Sequence, residues 1–171
     1  ITIPNSVTAI GHGAFNDCQS LESVVLPNRL SKLSSSMFNY CHQLKSIDIP
    51  QSVTVIEDGA LYMCESLSEI IVPDGVESVE GRAFAGCKNL ETITFGRSVN
   101  KNGYSALARC KKLQSIYIRA TVPPTLEPHL FKDPDDGVPD VTIYVPMESV
   151  DEYKTSESWS RYADRIEGYE I

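Results

Sequence analysis

No apolar run among the 171 residues approaches the roughly 18 needed to cross a membrane as a helix, and the opening residues lack the basic and apolar regions of a secretory leader. The sequence has no Cys-x-x-Cys pair, no Gly-x-Ser-x-Gly, no phosphate loop and no dinucleotide fingerprint. Bases are scarce relative to acids, 15 against 23, so the net charge of −8 excludes uniform attraction to nucleic acid or anionic lipid. Histidine occurs only as His12, His42 and His129, too few for a convergent nucleophile, base and stabiliser to be expected. An enzyme, a resident metal and a cofactor are therefore not expected. What remains is 42% hydrophobic residues, enough for a real core.

The five cysteines, Cys18, Cys41, Cys64, Cys87 and Cys110, are each 23 residues apart. Other columns keep the same period: Leu21, Leu44, Leu67, Leu90 and Leu113 follow each cysteine by three, and Phe15, Phe38, Leu61, Phe84 and Leu107 precede it by three. A unit of 23 residues cannot bury such columns alone, so the units must stack into a solenoid. LESVVLP, LKSIDIP and LSEIIVP alternate as strands do, and predict a parallel ladder. SVTAIG, SVTVIE and GVESVE predict a second short extended piece, and GAFNDC predicts one helical turn on the outer face.

Stacked cysteines point the same way and cannot close disulfides, so a buried ladder of reduced thiols is expected. His42 follows Cys41, but its column holds Gln19, Glu65, Lys88 and Lys111, a solvated edge and not a catalytic pair. Asp133, Asp135, Asp136 and Asp140 surround Gly137 between Pro134 and Pro139; the spacing misses a calcium loop and reads as turns. Residues 93–115 carry five bases and no acids, Arg97, Lys101, Arg109, Lys111 and Lys112, between acidic blocks. Pairing along the stack, such as Arg97 over Asp74, is the expected use of that charge; a strip for an acidic glycan is the alternative.

On the ladder face one column reads Val25, Asp48, Ile71, Thr94 and Tyr117, and the column two residues earlier reads Ser23, Ser46, Glu69, Thr92 and Ser115. The first column is the candidate ligand-binding surface, concave, with Ile71 and Tyr117 as its apolar anchors. Asn102 stands in the column of Ile10, Leu33, Ile56 and Val79, and Gly96 replaces the proline of earlier units, which puts the register of the fifth coil in question.

Setting Ile143 of TIYVP under the strand column makes residues 119–146 an irregular last coil after the regular residues 1–118. Residues 147–171 then predict an amphipathic helical cap. Val150 and Tyr153 share one face; Trp159, Tyr162, Ala163 and Ile166 share another, with Ser156 or Ser158 as N-cap and Gly168 as stop. Burial of Trp159 against the last coil is expected, the alternative being a sugar-stacking platform of Trp159 and Tyr162. Ile1 aligns with Val24, so the sequence opens inside a unit, and a piece of a longer protein is expected.

The columns LxxIxIP, SVxxIGxxAF and C-x-x-L resemble the BspA-type leucine-rich repeat of surface and secreted proteins from gut and oral bacteria, Bacteroides among them. The resemblance covers residues 1–118, and the tail also looks like the segment that closes such arrays. It implies a right-handed, mainly β leucine-rich repeat solenoid with short helical turns and a C-terminal helical cap. It further implies an extracellular or cell-surface, monomeric module that binds a host or bacterial protein or a glycan without catalysis. A structural spacer displaying another domain is the alternative.

Overall fold

The apolar columns become the interior of stacked coils because each coil contributes short strands whose buried residues alternate with exposed ones. The computed structural model describes residues 1–127, 130–131 and 140–170. The ladder face is built from β1 (Ser23–Val24), β3 (Ser46–Ile47), β5 (Glu69–Ile71), β7 (Thr92–Phe95), β9 (Ser115–Ile118), β11 (Thr142–Pro146) and β12 (Ile166–Tyr169), parallel wherever they pair. A second sheet runs without interruption through β2 (Lys32–Leu33), β4 (Val55–Ile56), β6 (Ser78–Val79), β8 (Lys101–Asn102) and β10 (Thr125–Leu126). Between the sheets lie the leucine, isoleucine and phenylalanine columns, with Leu44, Leu67, Leu90, Phe38, Leu61 and Phe84 fully or almost fully buried.

The outer segment is not the helical turn that GAFNDC suggests. Each coil places two residues four apart in the left-handed region: Gly13 and Asp17, Ser36 and Tyr40, Gly59 and Met63, Arg82 and Gly86, Ser105 and Arg109. Their effect is to turn alternate amides out of the coil. The N–H groups of Met37, Asn39 and Cys41 bond three residues back, whereas those of Ser36, Phe38 and Tyr40 donate to Asp58, Ala60 and Tyr62 of the next coil at 3.0, 2.8 and 2.9 Å. The same alternation repeats from Gly59, Leu61 and Met63 and from Arg82, Phe84 and Gly86. The outer turns thus form a third hydrogen-bonded ladder, which a helix with internally satisfied amides could not provide.

The fifth coil keeps its register. Asn102 pairs with Val79 on one side and Leu126 on the other, so the departure in sequence does not bend the stack. Gly96 fits because the chain passes close to the preceding coil; a β-carbon there would lie 2.2 Å from the Pro73 carbonyl oxygen. The sixth strand falls where Ile143 sets it, opposite Ile116.

The tail departs from a simple amphipathic helix. After a 3-10 turn at Met147–Ser149, α1 (Val150–Thr155) is followed by a second 3-10 segment, Ser160–Arg165, and then by β12, which lies parallel to β11 with Ile166 opposite Ile143. Ile166 and Gly168 are therefore strand residues, not the last turn and stop of a helix; Ser156 is the C-cap of α1, and neither it nor Ser158 is an N-cap. The physical reason is the exposed edge of β11: its backbone groups need partners, and a seventh strand supplies them while the helical segments close over the core. Trp159 is fully buried and its indole N–H donates to the Pro124 carbonyl at 2.7 Å; Tyr153 donates its hydroxyl to Ala120 at 2.7 Å. A ring so enclosed is no sugar platform.

Asn102 has no exposed surface, and neither its amide oxygen nor its amide nitrogen has a hydrogen-bond partner. Its column elsewhere is aliphatic, so replacement by leucine removes a desolvated amide and matches the neighbouring coils. Asn102→Leu is expected to raise stability by about 1–3 kcal/mol, read as a higher urea midpoint with unchanged slope; a lower midpoint would show that the amide is satisfied and contributes to packing.

Candidate functional site

Candidate nucleophiles come first, because the cysteine column is the most regular feature of the chain. Cys41, Cys64, Cys87 and Cys110 are buried and all five cysteines are free thiols; Cys18, in the first coil, is partly exposed. Each buried thiol donates to the carbonyl of the aromatic or leucine column in the preceding coil: Cys41 to Phe15 at 3.1 Å, Cys64 to Phe38 at 3.2 Å, Cys87 to Leu61 at 3.4 Å and Cys110 to Phe84 at 3.3 Å. Burial pushes the Cys41 thiol up to about 11 and Cys110 to about 12, and raises Cys64 and Cys87 well above the ordinary range. These sulfurs are structural hydrogen-bond donors, held away from the thiolate that reactivity requires. His42 does not face Cys41; its Nδ1 lies 3.5 Å from a Glu65 carboxylate oxygen.

Charge is used along the stack. Arg97 and Arg119 both flank Asp74, at 3.6 and 3.5 Å, and Lys45–Glu22, Lys88–Glu65 and Lys101–Glu127 join successive coils. The expected pairing of Arg97 with Asp74 is present, and Lys101 is drawn to the acidic side of the last coil. Asp140 is exposed, whereas His129, Asp133, Asp135, Asp136 and Gly137 lie outside the described residues.

The ladder-face column is partly brought together. Ile71 pairs with Thr94 and Thr94 with Tyr117 in one sheet, while Val25 and Asp48 belong to coils whose strands form a separate two-stranded sheet. Val25 is 58% exposed and Ile71 50%; Asp48 is exposed, and Thr94 and Tyr117 are half-buried. No pairing joins β3 to β5, and a cleft of about 380 Å³ opens there, lined by Lys45, Asp48, Gln51, Glu69, Ile71 and Pro73 among others.

At the other end of the face Tyr117 stacks on Tyr144 with ring centres 4.7 Å apart, and Tyr169 meets Tyr117 edge-on at 5.5 Å. Burial raises the Tyr169 phenol despite Arg119 and Arg97 nearby. Tyr144 follows from setting Ile143 under Ile116, but Tyr169 enters the cluster only because β12 continues the sheet. The interruption between β3 and β5 has no signal in the repeat, since LKSIDIP and LSEIIVP match the same pattern.

The BspA type leucine-rich repeat region matches the chain in six copies, over residues 1–114 and 56–134. The chain belongs to that family. No curated protein matches this BspA-type chain. Among solved structures, the pneumococcal vaccine antigen PcpA superposes with a TM-score of 0.73 and 22% identity over 100% of this chain. The T. pallidum leucine-rich repeat protein TpLRR gives 0.67 and 19% over 99% of this chain and 84% of its own. A leucine-rich repeat protein from Bacteroides ovatus gives 0.53 and 27% over 87% of this chain and 46% of its own. The chain spans 41% of PcpA, and these likenesses establish the leucine-rich repeat fold, mainly β with a C-terminal helical part. Among the described residues, no helix is long and apolar enough to cross a membrane.

The thiol ladder predicts a pattern of reactivity. At pH 8.5 an alkylating reagent should modify Cys18 in the native protein and leave the other four until denaturant is added, counted by mass. The folded-state values are raised, so thiol burial contributes its full stability below the unfolded pKa of about 8.5. That contribution falls as pH rises toward the folded values of about 11 and 12. Rapid labelling of all five native thiols, or stability unchanged between pH 8 and 10, would contradict this assignment.

Proposed function

We propose that the chain is a non-catalytic binding module of a bacterial cell-surface or secreted protein, which contacts a protein or glycan through the ladder face along Val25, Asp48, Ile71, Thr94 and Tyr117. The observation that carries this reading is the exposure of two large aliphatic side chains, Val25 and Ile71, in the outward column of the ladder, where neither contributes to the core. The tyrosine cluster of Tyr117, Tyr144 and Tyr169 extends the surface toward the C-terminal coils with aromatic area suited to recognition. Residues 1–118, 119–146 and 147–171 act as one continuous unit in this reading.

Two further points support it. The groups most able to act as nucleophiles are consumed in structure, four thiols bonding carbonyls of the neighbouring coil. PcpA, similar in fold, is described as a vaccine antigen, in keeping with placement outside the cell.

Arrays of host proteins and glycans test the assignment. Saturable binding is expected, with the signal lowered at least ten-fold by Ile71→Arg and by Tyr117→Arg but unchanged by Lys111→Ala, an exposed residue outside the column. Inertness across both arrays, or equal loss in all three variants, would favour the spacer.

A further inference from the structure

Resting on that reading of the ladder face, we propose that the cleft between β3 and β5 is a recognition pocket for an arginine side chain on an extended segment of a partner protein. Three observations converge on this place. The first is the interruption itself. Val72 N–H donates to Thr94 O and Glu91 N–H to Ser68 O across the next pair of coils, whereas the corresponding bonds from Ile49 N–H to Ile71 O and from Ser68 N–H to Lys45 O are absent. Backbone carbonyls that the ladder would otherwise occupy are left beside a cleft of about 380 Å³.

The second observation is charge. Several carboxylates on the stack are met by a base from a neighbouring coil, as Glu22 is by Lys45, Glu65 by Lys88 and Asp74 by Arg97. Asp48 and Glu69, on adjacent coils and lining the cleft, have no such ion pair among the described residues. The lysine nearest in the lining, Lys45, holds its ammonium 2.8 Å from Glu22 on the opposite side. Residues 47–92 as a whole carry nine acids and two bases, so the surroundings add to the attraction for a cation.

The third is shape and polarity. Ile71, half exposed, and Pro73 form an apolar wall beside the acids, which matches a side chain with an alkyl stem and a cationic head. The charged acceptors on offer are two carboxylates, joined by the carbonyls of Lys45 and Ile71, and the neutral side chains of Ser46, Gln51 and Ser68 line the cleft beside them. A guanidinium suits them better than an ammonium, because its planar fork of five donors serves several acceptors at once and it is less strongly hydrated. An anionic ligand would meet two carboxylates against the single ammonium of Lys45, and a neutral sugar would leave both carboxylates unmatched.

The test uses the full chain, labelled with 15N, and a capped heptapeptide of serine and threonine with one central arginine; the control replaces that arginine by citrulline, which keeps the shape and removes the charge. Saturable amide shifts confined to residues 45–51 and 68–73 are expected. Affinity should fall at least ten-fold for the citrulline peptide and for the Asp48→Asn, Glu69→Gln double variant. These two residues are exposed, so the melting temperature of the variant should match the parent and show that folding is intact. Shifts spread over Glu77 and Glu91 as well, equal binding of the citrulline peptide, or no shifts at millimolar peptide would each overturn the pocket. Failure here with array binding that still depends on Ile71 and Tyr117 would remove the arginine pocket and keep the ladder face. Localised peptide binding with silent arrays would do the reverse.

Discussion

The alternation of amide direction in the outer turns governs how every coil meets the next. A residue in the left-handed region at each end of the turn sends one N–H inward to the third residue back and the following one outward to the next coil. Three parallel sets of hydrogen bonds, two in the strands and one in the turns, hold the spacing of the stack near the 4.8 Å of a sheet, the first of them interrupted between β3 and β5. Within that spacing the leucine and phenylalanine columns from the second coil onward are buried, and the thiols fall within reach of the carbonyls one coil back. The backbone geometry thus explains a side-chain preference: a small apolar residue fills the cysteine position, and a weak donor satisfies a carbonyl beside it.

Much of this was legible because a 23-residue period repeats side chains that must be buried together. The strand columns, the sixth strand through Ile143, the burial of Trp159 and the pairing of Arg97 with Asp74 all follow from register. Helical spacing in GAFNDC misled, because Ala14, Phe15 and Cys18 fit a helix equally well and only the positive φ of Gly13 and Asp17 distinguishes the two. Asp17 is replaced by Tyr40, Met63 and Arg109 in other coils, none of which announces a left-handed residue. The tail misled for a related reason: Trp159, Tyr162, Ala163 and Ile166 fit a helical face. The 23-residue interval from Ile143 to Ile166 was the one available sign of another strand.

The candidate site was less legible than the fold. Exposed columns can be listed from register, and Val25, Asp48 and Ile71 do stand outward. Sequence does not reveal that the ladder parts between β3 and β5, since both strands carry the same motif and differ in hydrogen bonding alone. The ladder face accordingly has two characters, an acidic opening near Asp48 and Glu69 and a tyrosine and arginine cluster near Tyr117, Tyr144 and Arg119. Under the proposed binding role, a surface divided in this way suits an elongated partner that lies across several coils.

Amide hydrogen exchange resolved by residue is the measurement closest to the central claim. If the outer turns are a true third ladder, the amides of Phe38, Leu61 and Phe84 should exchange as slowly as those of Glu77 and Glu80, whose bonds belong to the second sheet. Exchange at those three turn amides faster by orders of magnitude would mean that the strands alone hold the stack.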